Sequence, residues 1–148
     1  MRCLGLDIGD KRIGVALSDA LGILATPLMV IERNADDQGI ADILQIVARN
    51  QVGLIVAGLP QSMDGSLGFQ AEKVRLFAEK LKQAAPVAVE YRDERLTTVE
   101  AKRMLEEGRT RRLARNKKGE FDAAAAAVIL QSYLNETRPF EYPPEDEG

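Results

Sequence analysis

Hydrophobic and polar residues alternate along the first third of the chain. In RCLGLDIG, Leu4, Leu6 and Ile8 fall on one face, and RIGVALSD repeats the alternation. The residues GDKR between these runs are typical of a tight hairpin turn. A third run, TPLMVIE, has its proline near the start, where a strand tolerates it. The pattern predicts three consecutive strands in an antiparallel meander.

The rest of the chain alternates between helical and strand patterns. Apolar residues recur at helical spacing in residues 35–50 and 67–84, which predicts two amphipathic helices. LIVAGLP is a short, continuous apolar run, typical of a strand covered on both faces, and VAVEYRDE predicts another strand. A helix capped by Thr97 or Thr98 and stopped by Gly108 follows, and an alanine-rich helix is predicted over 121–134.

The predicted order is therefore β-β-β-α-β-α-β-α-α. It favours one α/β domain over residues 1–138, with a five-stranded mixed sheet and helices on both faces. The sheet combines the three-strand antiparallel meander with two parallel strands. Residues 139–148 are acidic and proline-bearing, and we expect them to form a disordered tail.

Composition narrows the possible chemistry. The chain has 148 residues, 45% hydrophobic and 29% charged, as in an ordinary globular protein, and no apolar run approaches a membrane span or a signal-peptide core. We therefore expect a cytoplasmic protein with no membrane partner. There is no histidine and a single cysteine, Cys3, which excludes an imidazole base, a Ser-His-Asp triad and the usual zinc sites. Carboxylates remain, and they suit hard cations such as Mg²⁺ or Mn²⁺.

The distribution of charge matters more than the net charge of −3. The last ten residues hold four acids and no base, and the rest of the chain has 20 basic and 19 acidic residues. Within it, RTRRLARNKK (109–118) carries six positive charges and no negative one. Such a run is either a solvated loop or a phosphate-binding surface.

Asp7 is the first candidate catalytic residue, because it lies in the middle of an apolar strand. A carboxylate there is costly to bury unless an ion, a base or hydrogen bonds compensate it. The alternative is an aspartate bonded to the backbone of the adjoining turn, but Asp10 is better placed for that role.

Glu94 is the second candidate, at the end of the fifth predicted strand. Ligands bind at the carboxyl ends of strands in open α/β sheets. Asp93 alternates onto the other face, so we expect only one of the two to point at Asp7. The alternative is a surface pair with Arg92 and Arg95.

Asp122 is the third candidate, at the start of the last predicted helix. Helix capping alone could explain an aspartate there. The alanines that follow it, 123–127, would let the helix lie very close to the sheet and carry Asp122 beside Asp7. Three converging carboxylates can hold two Mg²⁺ ions for phosphodiester hydrolysis.

Other polar residues are candidates for holding phosphate. Lys11 or Arg12 could bind it beside the metals, and Thr97 or Thr98 could donate a hydrogen bond to it. The loop GLPQSMDGSLG lacks the ending of a P-loop, so helix capping by Ser66 is the favoured interpretation.

Four blocks of sequence resemble those of the YqgF (RuvX) family of pre-ribosomal RNA nucleases and Holliday junction resolvase-like proteins. The blocks LGLDIGDKRIGVALSD, AGLPQSMDGS, DERLTTVEAKRML and DAAAAAVILQSYL occur in the right order and reach to about residue 134. The resemblance implies an RNase H-like fold and places the family's acidic residues at Asp7, Glu94 and Asp122. It also implies a bacterial cytoplasmic protein that matures the 5′ end of the small-subunit ribosomal RNA precursor, with pre-ribosomal particles as partners.

The predicted site combines these lines of reasoning. The three carboxylates would be both catalytic residues and ligands for Mg²⁺ or Mn²⁺. The residues expected to contact nucleic acid, with structured RNA favoured over branched DNA, are Lys11, Arg12, Arg95, Thr97, Thr98, Arg109, Arg111, Arg112, Arg115, Lys117 and Lys118.

Two departures from the junction resolvases bear on the metals. A catalytic glutamate follows the fourth strand in those enzymes, but here GLPQS has no acid before Asp64. Their pair of aspartates in the last helix is reduced to Asp122. We therefore expect a second ion to bind weakly, or only with substrate present.

Two other functions stay open. A Holliday junction resolvase acting on branched DNA would need a dimer; no dimer surface is evident in the sequence, and we expect a monomer or a weak dimer. A non-catalytic RNA-binding ribosome-assembly factor would be expected to have lost the acids. DIGDKRIGVA also resembles a phosphate loop of sugar kinases, but 148 residues leave no room for their second lobe.

Overall fold

The computed structural model describes residues 1–9, 11–59, 69–93 and 118–137. Within these ranges five strands form one sheet, namely β1 (Arg2–Ile8), β2 (Arg12–Ser18), β3 (Ala25–Glu32), β4 (Val52–Leu59) and β5 (Ala88–Asp93). The helices described are α1 (Asp36–Arg49), α2 (Phe69–Ala84) and α3 (Lys118–Thr137). The helix predicted between Thr97 and Gly108, and the tail 139–148, lie outside the described residues.

The sheet has the strand order β3-β2-β1-β4-β5. β2 pairs antiparallel with both β1 and β3, whereas β4 pairs parallel with both β1 and β5. The predicted combination of an antiparallel meander and two parallel strands is therefore confirmed. β1, β4 and β5 end at the same edge, which we call the carboxyl edge.

Each face of the sheet buries its own hydrophobic core. Leu4, Leu6 and Ile8 of β1 pack on the face covered by α1 and α2, where Phe77 is fully buried. Cys3, two residues before Gly5, packs on the opposite face with α3. The alternation predicted for β1 is thus confirmed, and so are the buried positions predicted for α2, which are Val74, Phe77, Ala78 and Leu81.

Helix α3 lies unusually close to the sheet. A Cβ atom added to Gly5 would stand 2.7 Å from the Leu130 Cβ and 3.0 Å from the Ala126 carbonyl oxygen. Ala126 and Ala127 of this helix are fully buried, and Ala123 is nearly so. The sequence interpretation, that small residues let the last helix approach the sheet, is confirmed.

Gly39 in α1, by contrast with Gly5, has room for a Cβ atom. A Cβ atom there would lie 3.5 Å from the Phe77 ring and 3.7 Å from the Ile13 Cδ1, which are ordinary contacts. Gly39 is therefore not required by packing, whereas Gly5 is.

Two boundaries differ from the sequence prediction. α3 spans Lys118–Thr137 and so is longer at both ends than the predicted 121–134. Pro27 is the third residue of β3, opposite Ala16, where the β2–β3 register shifts. A proline is tolerated there because β3 is an edge strand and the pairing is already irregular. No helix in the described ranges is both long enough and apolar enough to span a membrane.

Candidate active site at the carboxyl edge

Asp7 is the penultimate residue of the central strand, and its side chain is half-buried. It follows Cys3 and Gly5 in the alternation of β1, so it lies on the face covered by α3. The strands on both sides of β1 hold its backbone, since Asp7 pairs with Gly14 of β2 and with Gly58 of β4. The backbone at Asp7 is therefore held by a paired strand on each side.

The two residues that flank Asp7 across the sheet are both glycines. Gly14 and Gly58 follow the same alternation as their neighbours, Ala16 and Val56, which contribute to the core beneath α3. No side chain therefore rises beside Asp7 from either neighbouring strand. Both glycines are buried, so a side chain at either position would meet the residues packed over it.

Helix α3 begins near the carboxyl edge of the sheet. The helix runs antiparallel to β1: Ala126 and Leu130 contact Gly5, while Gln131 bonds to the start of β3 at the opposite edge. Asp122 precedes Ala126 by one helical turn, and Asp7 follows Gly5 by two residues along the strand. The start of α3 therefore lies toward the carboxyl edge, where Asp7 stands.

The observed start of α3 also bears on why an aspartate occurs at position 122. Because the helix begins at Lys118, Asp122 is its fifth residue and stands one turn inside. Helix capping, the alternative role considered from the sequence, requires the residue before the first turn and does not account for it.

Strand β5 leads directly into Glu94. Arg92, its penultimate residue, pairs with Gly58, which in turn pairs with Asp7. Val89 and Tyr91 of β5 pack on the α1–α2 face, whereas Arg92 contacts α3. Glu94 itself lies outside the described residues.

Arg92, considered from the sequence as a surface partner of Asp93 or Glu94, is largely buried. Its side chain is only 9% exposed, and its guanidinium contacts Glu136 Oε2 at 2.7 Å and Ser132 Oγ at 3.1 Å. Arg92 Nε is buried and has no hydrogen-bond partner among the described residues. Arg92 therefore ties β5 to the C-terminal half of α3, which the sequence analysis did not anticipate.

The turn between β1 and β2 carries two of the predicted phosphate-binding residues. Lys11 is exposed, and Arg12 is half-buried at the start of β2. The Gly9 amide donates to the Arg12 carbonyl oxygen at 2.9 Å, which closes the tight turn that GDKR predicts. Asp10 lies outside the described residues.

Cys3 offers no alternative chemistry. It is 4% exposed, and burial raises the pKa of its thiol. A buried thiol with a raised pKa is a poor nucleophile and a poor ligand. The carboxylates remain the candidates, as the composition indicates.

The remaining predicted contacts fall outside the described residues, or their side chains do. These are Arg95, Thr97, Thr98, Arg109, Arg111, Arg112, Arg115, Lys117 and Lys118, the last being the first residue of α3. Among the described side chains, no group of three or more potential metal ligands is present. The three-carboxylate site thus stays a prediction, with Asp7 at the carboxyl edge and α3 beginning near the same edge.

Comparison with known proteins gives consistent matches over most of the chain. A family model described as "RuvX: Holliday junction resolvase" matches residues 1–136. A relative from Crocosphaera subtropica, named "Putative pre-16S rRNA nuclease", is 47% identical over 135 residues, which cover 91% of this chain and 93% of the relative. A relative of the same name from Dehalococcoides mccartyi is 47% identical over 133 residues and covers 89% of this chain and 96% of its own.

Solved structures share the fold. RuvC from T. thermophilus in complex with a Holliday junction substrate matches with a TM-score of 0.62 and 16% identity, covering 93% of this chain and 96% of RuvC. The fowlpox virus Holliday junction resolvase matches with a TM-score of 0.57 and 13% identity, covering 93% and 99% of the two chains. These similarities confirm the RNase H-like fold implied by the sequence motifs.

Proposed function

This chain belongs to the RuvX family, and on that premise we propose that it is a metal-dependent nuclease that processes the 5′ end of the small-subunit ribosomal RNA precursor. Relatives at 47% identity carry the name of a pre-16S rRNA nuclease. The observation that carries the catalytic part is the placement of Asp7. A half-buried aspartate lies between two glycines at the carboxyl edge, the edge near which α3 begins.

Glu94 would complete the acidic set. Side chains alternate along β5, and Arg92 contacts α3. The same alternation, continued two residues further, would give Glu94 the α3 side of the sheet, which is the side of Asp7. Asp93 would have the opposite side. This supports the choice of Glu94 over Asp93.

The donor set fits a hard divalent cation. The chain has no histidine, its cysteine is buried, and the candidate ligands are carboxylate oxygens, which are the preferred ligands of Mg²⁺ and Mn²⁺. When bound, such ions activate water and stabilise the charge that develops on the phosphate and on the leaving oxygen. The ions and the scissile phosphate would lie beside Asp7 at the carboxyl edge, with a second ion held weakly or only in the presence of substrate.

The chain's own residues would bind and orient the nucleic acid. Lys11 and Arg12 lie at the turn that follows Asp7, where they would contact phosphate next to the scissile bond. Arg95, Thr97 and Thr98 follow β5 directly, and the basic run 109–118 leads into α3. Phosphate contacts of this kind position the substrate without reading its sequence. Because the relatives are named pre-16S rRNA nucleases, we propose a structured RNA within a cytoplasmic pre-ribosomal particle as the substrate, bound by a monomer or weak dimer.

Resolution of four-way DNA junctions is the second candidate. The description of the matching family model favours it, since it names a Holliday junction resolvase. The chemistry at the carboxyl edge would be the same, and the difference would lie in the shape of the bound nucleic acid.

The two candidates are separated by a cleavage assay on end-labelled substrates. Purified full-length protein is given Mg²⁺, Mn²⁺ or EDTA with three substrates: a structured precursor of small-subunit ribosomal RNA, an unrelated RNA of equal length, and a synthetic four-way DNA junction. We expect cleavage of the ribosomal precursor at a defined position, with Mg²⁺ or Mn²⁺ and not with EDTA.

Preferential cleavage of the junction would replace the first candidate by the second. Binding of RNA without cleavage of any substrate in either metal would contradict both. It would favour a non-catalytic ribosome-assembly factor instead.

A further inference from the structure

Arg33, the residue after β3, is held at four points although it belongs to a surface connection. Its side chain is only 8% exposed. Nη1 donates to the Gly9 carbonyl oxygen at 2.7 Å, Nε to the Asp36 carboxylate at 3.2 Å, and Nη2 to the Lys73 carbonyl oxygen at 3.4 Å. The guanidinium carbon also lies 4.9 Å from the centre of the Phe77 ring. Arg33 thus joins the β1–β2 turn to α1 and to α2.

The same residue binds the β1–β2 turn a second time, through its backbone. The Arg33 amide donates to the Lys11 carbonyl oxygen at 2.9 Å. Arg33 therefore holds carbonyl groups on both sides of the turn. The turn is also tight at Gly9, where a Cβ atom would meet the Arg12 carbonyl oxygen at 2.8 Å.

These contacts are not needed to set the register of the hairpin. The pairing of Asp7 with Gly14 and of Ile8 with Ile13 already does so. The contacts with Arg33 instead fix the direction of the turn relative to the helices beneath it. Burying a guanidinium for this purpose has a desolvation cost that an apolar residue would not have.

We propose that Arg33 is a positioning residue for cleavage: it holds the β1–β2 turn so that Lys11 meets the phosphate bound beside Asp7. The inference rests on the proposed nuclease function. Lys11 is exposed and belongs to the turn that Arg33 binds. That turn begins at Gly9, two residues after Asp7. A rigid turn places an ammonium group at low entropic cost, and small misplacements of such groups reduce catalysis strongly.

A double-mutant cycle on the substrate that the wild type cleaves tests the coupling. Arg33→Gln, Lys11→Ala and the double variant are compared for kcat and KM. We expect each single variant to lose about tenfold or more in kcat, with a smaller change in KM. The double variant should be no slower than the slower single variant, because Arg33 acts through Lys11. Losses that multiply would overturn the proposal.

Two further variants test the alternatives. One lowers stability away from the turn, and the other keeps the charge of Arg33 without its guanidinium geometry. Ile46→Val, in the last turn of α1, removes a buried methylene far from the turn, and it should lower the melting temperature without lowering kcat. Arg33→Lys keeps the charge but has no planar fork to span Gly9 and Asp36, so we expect it to resemble Arg33→Gln in kcat.

Amide hydrogen exchange gives a readout that does not depend on cleavage. The Gly9 amide, which donates a hydrogen bond to the Arg12 carbonyl oxygen, should exchange at least about tenfold faster in Arg33→Gln than in the wild type. Its exchange rate in Ile46→Val should equal that of the wild type. If the wild type cleaves nothing, the proposed function fails while this measurement still reports on the turn. Unchanged Gly9 exchange in Arg33→Gln would overturn the positioning role by itself.

Discussion

Asp7→Asn is expected to lose cleavage by at least about 10³-fold, roughly 4 kcal/mol of transition-state stabilisation, while it keeps its fold. The amide has nearly the shape of the carboxylate but lacks the charge that holds a divalent cation. Asp7 is half-buried at the end of a strand paired on both sides, so we expect the substitution to leave the backbone in place. The measurement is single-turnover cleavage at saturating protein, together with thermal unfolding and RNA binding without divalent cations.

RNA affinity should be unchanged or higher in Asp7→Asn, because the substitution removes a negative charge beside the bound phosphate. Asp42→Asn is the matched control. It makes the same chemical change on α1, where the carboxylate accepts a hydrogen bond from Gln38, and should leave cleavage unchanged. Equal cleavage by Asp7→Asn and the wild type would show that Asp7 is not a catalytic residue.

Gly5→Ala is expected to destabilise the protein by about 2 kcal/mol and to reduce cleavage as well. Its new methyl group would meet the Leu130 Cβ at 2.7 Å and the Ala126 carbonyl oxygen at 3.0 Å. These atoms belong to the core and the backbone of α3, so the whole helix must shift away from the sheet. Asp122 lies one turn before Ala126 and would move with it. Denaturant unfolding measures the first effect, and the cleavage rate at a temperature where the variant is folded measures the second.

Gly39→Ala is the matched control for the same chemical change. Its methyl group would make ordinary contacts with Phe77 and Ile13, and alanine favours the helix over glycine by about 0.5–1 kcal/mol. Stability should therefore increase, with cleavage unchanged. A Gly5→Ala protein as stable as the wild type would contradict the close approach of α3.

The strands and helices that were predictable from the sequence are those with strong local periodicity. Leu4, Leu6 and Ile8 identify the inner face of β1 without any tertiary information. The run of alanines after Asp122 likewise predicts a helix in close contact with the sheet, and the distances at Gly5 agree. The family motifs then predict that Asp7, Glu94 and Asp122 form one site.

The features that escaped prediction depend on contacts between distant parts of the chain. Arg33 and Arg92 look like ordinary surface charges in the sequence, and only the packed structure shows that both are buried and bonded. The glycines beside Asp7 likewise become neighbours only through strand pairing. The start of α3 at Lys118 was missed because residues 118–120 (KGE) have no apolar periodicity and include a glycine, a poor helix former.

The convergence of the three carboxylates on one metal ion is the central claim, and Mn²⁺ titration followed by NMR tests it most directly. Paramagnetic Mn²⁺ broadens the signals of nuclei close to it. The account predicts that amides around Asp7, Glu94 and Asp122 broaden together, that excess Mg²⁺ restores them, and that Asp7→Asn weakens the effect. Broadening centred elsewhere, or equally strong broadening at these residues in Asp7→Asn, would contradict a metal site formed by these carboxylates.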